Sequence, residues 1–247
     1  DDIQDGVDPF PLIPAGIRYV KASAAPGGDG RSWATAHKTV QGALAAAATG
    51  QATPADPDDD VAQIWVARGE YKPANRTTPI ELINQVAIYG GFSGPSEDFA
   101  GETKRGQRLR EPAINGCVIS GDLNNNDVGP ATPDDGPSVP SRADNAAGLI
   151  TAGPTTNASA ILDGFTLSGS AGGSAMFITG SPTIRNCMIT RNGTVSGGGA
   201  NIRGLGAPLF RDCIFAANVA SFGGGLRVSD QARPRFETCS FEQNEAQ

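Results

Sequence analysis

Three features of this 247-residue sequence predict an all-β fold, a right-handed parallel β-helix (solenoid) with a short N-terminal capping α-helix. The first is a period of 26 residues in the C-terminal third. Pro182, Pro208 and Pro234 keep that interval, as do Cys187, Cys213 and Cys239, and Asn192, Asn218 and Asn244. The second is a glycine triplet, Gly197-Gly198-Gly199, that returns at Gly223-Gly224-Gly225. The third is composition: Gly 33 and Pro 18 together make about a fifth of the chain, without a Gly-X-Y period, against roughly 12% in average proteins. A period in the twenties leaves leucine-rich repeats and β-helix coils as the main candidates. The aligned stretches 181–199, 207–225 and 233–247 carry one leucine or none, which favours coils.

Within a unit, an apolar residue (Ile184, Phe210, Phe236) precedes the cysteine, and another (Ile189, Phe215, Phe241) follows it by two. A spacing of two puts the cysteine and the second apolar residue on one strand face. The polar pairs between, Arg185-Asn186, Arg211-Asp212 and Glu237-Thr238, suit a bend, and the glycine triplet supplies a positive φ. Stacking such coils at ~4.8 Å turns equivalent residues into ladders. The predicted ladders are Cys187, Cys213 and Cys239; Asn192, Asn218 and Asn244; Phe210 with Phe236; and Phe215 with Phe241. A buried asparagine ladder is favourable only where the amides bond one another or the turn backbone.

The pattern reaches backward more faintly. Residues 161–180 read as a shortened coil, and 86–94 and 117–122 as strand-then-glycine units. Residues 122–145 have no apolar period and read as an acidic loop inserted between coils. Nearer the start, 17–23 alternates like a strand. Val40, Ala43, Leu44 and Ala47 then make one face of a helix that Gly50 is positioned to end. Such a helix covers the open core and edges of the first coil. The polar loop 51–60 precedes the first full coil strand at 61–73. The expected organisation is an N-terminal extension (1–16), a strand and cap helix (17–60), and the β-helix (61–247). The sequence reaches Gln247 where a third glycine turn is due, so the parent chain is expected to continue.

The formal net charge of -7 argues against nucleic acid, whose phosphates need clustered Lys and Arg. It equally disfavours polyanions unless metal ions bridge the charges. No apolar run approaches the ~18 residues of a membrane-spanning helix, so no membrane insertion is expected of this stretch. Four cysteines are too few for a disulfide scaffold, and the acidic, Asn/Ser/Thr/Gly-rich balance fits an exported protein. Asn75, Asn157 and Asn192 each begin an N-glycosylation pattern, at a frequency near chance for such a composition.

Candidate sites are few. Asp122, Asn124, Asn126 and Asp127 alternate oxygen ligands like the start of a calcium loop, and Asp134, Asp135 and Asp144 could fold back to complete it. Such runs are also ordinary turn formers, so calcium and a metal-free turn both stand open. The cysteine column reads as buried thiols or as a disulfide between adjacent coils, with Cys117 joining it two or more coils earlier. His37, the single histidine, is placed on the cap helix and has no nucleophile motif beside it. Trp33, Trp65, Tyr71 and Tyr89 either pack beneath the cap helix and between coils or form a carbohydrate-stacking platform. In the regular coils the recurring residues are Pro, Cys, Phe, Asn and Gly, with no acidic column. That weighs against catalysis and leaves no catalytic residue to name.

The stretches "YVKASAAPGGDGRSWATAHKTVQGAL", "IWVARGEYKP", "VAIYGGFSG", "VISGDL", "LDGFTLSG" and the repeated "C-x-F-x-x-N" with "GGG" resemble bacterial surface β-helix proteins over residues 17–247. These are the polymorphic-outer-membrane-protein-like and surface-anchored repeat proteins related to the pectate-lyase superfamily. The resemblance implies export, a cap helix followed by parallel coils, and attachment to the cell surface. The expected function is an extracellular structural or adhesive module, assembling through coil ends with copies of itself or with neighbouring surface proteins. The alternatives are a carbohydrate-binding module, or a polysaccharide lyase or glycoside hydrolase.

Overall fold

A computed structural model describes residues 16–52, 61–94, 113–114, 116–128 and 140–246. The expected N-terminal extension up to residue 15, most of the polar loop before residue 61, and residues 129–139 of the acidic loop lie outside them.

The chain winds a right-handed, all-parallel β-solenoid of about six turns. Its first face stacks seven strands: Ile17–Val20, Gln63–Ala67, Ala87–Phe92, Ile161–Asp163, Thr183–Arg185, Leu209–Arg211 and Arg235–Glu237. The second face stacks six, from Gly69–Tyr71 through Cys117–Ser120 to Ser240–Glu242, and the third stacks five, from Ile80–Glu81 to Leu226–Val228. A short fourth set, Gly193–Ser196, Val219–Phe222 and Glu245–Ala246, lies between the second and third faces along the chain. Segment 61–73 thus supplies strands to two faces, and Ile17–Val20 forms the rung before it.

Strands of three or four residues are too short to hold a fold alone, so stability comes from the columns that register creates. On the first face Ile64, Ile88, Leu162, Ile184, Phe210 and Phe236 stand one above another. On the second, Tyr71, Ile119, Leu167, Ile189, Phe215 and Phe241 do the same. Where the columns turn aromatic the rings stack, Phe210 on Phe236 at 5.2 Å and Phe215 on Phe241 at 4.8 Å between centroids. The two stacks meet edge-on at 5.4 Å between Phe210 and Phe215.

The bends between faces need a left-handed residue in each coil. The second member of each predicted polar pair takes that role: Asn186, Asp212 and Thr238 have φ of 51°, 52° and 53°, with Gly164 in the coil before. Asn and Asp visit this region more readily than most residues, whereas Thr238 adopts it against its branched side chain. In each glycine triplet only the first residue, Gly197 or Gly223, has a positive φ, 68° in both. The other two answer close approach. A Cβ on Gly198 or Gly199 would fall 2.4 Å from the carbonyl oxygen of Gly224 or Gly225 in the next coil.

Behind the second bend the asparagines form the predicted column. The Oδ1 of Asn218 accepts the backbone N–H and the Nδ2 of Asn192 at 3.2 and 2.9 Å. Its Nδ2 donates to the Ile189 carbonyl at 2.7 Å and to Asn244 Oδ1 at 3.0 Å. Asn192 Oδ1 in turn accepts the Ser170 N–H at 3.1 Å, where the column passes to serine. Asn192 and Asn218 are fully buried, so the glycosylation pattern at Asn192 lies inside the core, while Asn75 and Asn157 are exposed.

The cap helix, Val40–Ala52, starts with the Thr39 hydroxyl accepting the Gly42 N–H at 3.1 Å, an N-cap bond. Val40, Ala43, Leu44 and Ala47 are buried in the same cluster as Val20, Ile64 and Val66, closing the first coil. Two expectations are corrected. The helix does not stop at Gly50, which is buried within it, the site of a missing side chain and not of a terminus. His37 precedes the helix: its backbone bridges Val20 in parallel and extends the edge of the first face. Its Nε2 is buried without a partner, and burial followed by the Arg18 charge pulls its pKa below the ordinary value.

Asn218→Ala is expected to lower stability by about 2–4 kcal/mol, because buried groups of Asn192 and Ile189 lose their partners. Urea denaturation of the variant checks this; a loss no larger than that of an exposed Asn157→Ala control would contradict it.

Candidate functional site

Polar chemistry gathers where the acidic loop leaves the solenoid. Strand Cys117–Ser120 ends at Gly121, and the following turn is gripped by Lys72, which leaves the neighbouring strand Gly69–Tyr71. The Lys72 ammonium donates to the carbonyl oxygens of Asp122 and Leu123, the latter at 3.1 Å, and to Asn125 Oδ1 at 2.7 Å. Glu70 lies 3.5 Å away. The Asp122 carboxylate closes the turn from within: Oδ1 accepts the Asn126 N–H and Oδ2 the Asp127 N–H, both at 3.0 Å.

The returning arm of the loop meets this turn. Asp144 Oδ2 accepts the Asn124 N–H at 3.0 Å. Asp127 faces the arm as well. Its Oδ2 accepts Asn145 Nδ2 at 2.9 Å and stands 3.4 Å from Arg142, while its Oδ1 is buried with no partner. Burial pushes the Asp127 pKa up, opposed by the Asn145 hydrogen bond and the Arg142 charge. Asn145, fully buried, also donates to the Gly169 carbonyl at 2.7 Å, and its own Oδ1 is buried without a partner.

Among the residues singled out from sequence, Asp122, Asn126 and Asp144 therefore converge. Asn124 contributes a backbone N–H, and Asp127 is turned toward Arg142 and Asn145. Asp134 and Asp135 lie outside the described residues. Lys72 was not foreseen, because it is distant from the acidic run along the chain and stands in no motif.

A second polar column runs down the outside of the first face, through Tyr89, Asp163, Arg185, Arg211 and Glu237. Arg185 Nε donates to Asp163 Oδ2 at 2.5 Å and Asn186 Nδ2 to Asp163 Oδ1 at 2.8 Å, which satisfies a carboxylate with a side chain only 2% exposed. Arg211 pairs with Glu237 at 2.6 Å on the more open surface, where such a pair contributes little. Beside this column lies a cleft of about 630 Å³ lined by Ala113, Thr166, Asn186, Met188, Asp212 and Ile214.

The cysteines are four free thiols. Register places Cys117, Phe165, Cys187, Cys213 and Cys239 in one inward column, so Cys117 joins two coils before Cys187 with a phenylalanine between. Contact with Cys187, then burial, drives the Cys213 thiol far above the ordinary range, which makes it a poor nucleophile. Trp33 and Trp65 pack with Tyr19 and Phe92 in a second apolar cluster, with Tyr89 against it. Tyr71 is in the core and donates to the Ala67 carbonyl at 2.7 Å. Packing, not a surface platform, accounts for these aromatics.

Residues 144–247 match the family described as right handed beta helix region. The match covers the regular coils, and parallel rungs of the same kind continue N-terminal to it. The chain is thus a right-handed β-helix repeat protein. No curated protein and no solved structure matches it.

Lys72→Met is expected to cost about 1–3 kcal/mol, since it strips the donor from two carbonyls and Asn125. Hydrogen exchange should show faster exchange at the Asn126 and Asp127 amides in the variant. Unchanged protection there would contradict the role given to the ammonium.

Proposed function

We propose that the chain is a structural or adhesive module of an extracellular, cell-surface bacterial protein. One observation carries this reading. The residues that recur at 26-residue intervals are engaged in packing, bends or backbone hydrogen bonds. The repeat is therefore spent on rigidity, and stacked coils give a stiff rod whose outer columns are free to vary. The outer face agrees, because Asp163–Arg185 and Arg211–Glu237 pair along the axis.

A second reading is favoured by the cleft beside that column. Met188, 40% exposed, and Ile214 offer an apolar strip flanked by Asn186 and Asp212, a combination suited to a glycan chain lying along the coils. The two readings separate in one experiment. Purified chain is coated on beads and assayed for retention of bacterial cells and of neutral and acidic polysaccharides, while the same preparation is assayed for reducing ends and unsaturated uronides. Retention of cells without sugar release is the expected result. Polysaccharide retention abolished by Met188→Asp would move the assignment to glycan binding, and released sugars would overturn both readings in favour of an enzyme.

A further inference from the structure

We propose that His37 is an acid-sensitive clasp on the N-terminal edge of the solenoid: its protonation releases residues 30–37 from strand Ile17–Val20 and uncovers that strand's free edge.

Ile17–Val20 is the outermost strand of the seven-stranded face, paired on one side with Gln63–Ala67. Its other side is covered by a few backbone groups of residues 30–37. The Gly30 carbonyl accepts the Tyr19 N–H at 2.8 Å. The His37 N–H donates to the Tyr19 carbonyl at 2.8 Å, and the His37 carbonyl accepts the Lys21 N–H at 2.9 Å. The pairing of His37 with Val20 is an isolated bridge, not a rung of a ladder. Edges held by so few bonds open locally at a smaller cost than the stacked coils do.

The residue that makes this bridge also carries the chain's single imidazole, the one side chain whose ordinary pKa lies between 5 and 8. The ring lies against Gly30, where a Cβ would stand 2.3 Å from its Cδ2 and 2.6 Å from its Nε2. From the cap helix, Gly42 approaches the other nitrogen, with a Cβ there falling 3.6 Å from Nδ1. Nε2 is buried and has no hydrogen-bond partner. A neutral ring with its proton on Nδ1 leaves only a lone pair unmet. In the imidazolium both nitrogens are donors, so a charged N–H is buried with no acceptor.

The charged groups around the ring oppose one another. Arg18, buried on the strand itself, repels a second cation, and the exposed Asp29 on the loop attracts it. The cap helix presents the uncharged Gly42. Burial and Arg18 outweigh Asp29, so folding pulls the imidazole pKa below 6.5. A histidine shifted in this direction contributes stability above its unfolded pKa. That stability is withdrawn as pH falls below the unfolded value toward the folded one. The clasp is therefore closed at neutral pH and weakened in mild acid.

Release takes away the partners of the Tyr19 and Lys21 backbone and draws Trp33 and Ala36 out of their cluster with Tyr19, Trp65 and Phe92. An unpaired strand edge is a template for pairing with another chain. The regular coils hold no histidine and keep their register over the same pH range.

Two measurements on the whole chain test the clasp, and they must agree. NMR titration of the one histidine signal gives the folded pKa. Hydrogen exchange from about pH 7.5 to about pH 5 gives the protection of the Tyr19, Lys21 and His37 amides, with Val219 in the regular coils as control. The expected midpoint lies below 6.5, and protection of the three amides falls in acid while that of Val219 holds. With His37 fully protonated, the fall should approach about 10-fold for each unit between the midpoint and 6.5. His37→Gln, whose side chain is polar but does not titrate, should show no such fall. A midpoint at or above 6.5, protection indifferent to pH, or an equal fall at Val219 would overturn the proposal. So would an unchanged pH dependence in His37→Gln. If His37→Gln does not fold, the two measurements on the unmodified chain decide.

Discussion

The asparagine column is the constraint on which the rest of the regular solenoid depends. A buried carboxamide is costly unless both its ends are bonded, and here each end is bonded to the coil above or below, with one added bond from Asn192 to the Thr190 carbonyl of its own coil. The bonds exist in one register. A coil longer or shorter by one residue would leave an amide stranded in the core and turn its strand faces inside out. Phenylalanine stacks and cysteines contribute burial, but apolar columns tolerate sliding better than amides do. The polar column supplies specificity where the apolar ones supply most of the stabilisation.

That register also explains where function can reside. Inside, every rung is occupied, so variation is confined to outward positions and to segments that leave the solenoid between faces. Two long stretches of chain separate consecutive strands, from Phe92 to Cys117 and from Ser120 to Ile150. The second re-enters at Asn145 and Ala146, where Asn145 donates to the Gly169 carbonyl just before Ser170, the last rung of the amide column. The acidic turn held by Lys72 is therefore mounted close to where the column changes from asparagine to serine.

The regular coils were legible because their period is unbroken: 26 residues separate each Cys, Asn and Pro from the next. Earlier rungs kept the same faces but lost the period, since Tyr89 pairs with Asp163 across a long excursion while Asp163 pairs with Arg185 after 22 residues. Cys117 could still be placed in the column, because its strand pattern matches, though Phe165 in the rung between gives no hint of it. Gly50 misled because glycine often follows the last turn of a helix, whereas here the helix runs on through it to Ala52. In the acidic loop the carboxylates were visible as a motif. Lys72 was not, because the contact spans about 50 residues and depends on the pairing of two adjacent rungs.

Excision of one whole coil tests the account most directly. Removing residues 193–218 joins Asn192 to Val219 and brings Asn192 beneath Asn244, so every column stays in register. Removing 194–218 takes out one residue fewer and leaves the column displaced. Urea unfolding of the two variants should show a cooperative transition for the 26-residue deletion and loss of cooperative folding in the remaining C-terminal coil for the 25-residue deletion. Equal stability and cooperativity in both would mean that the amide register does not govern the fold.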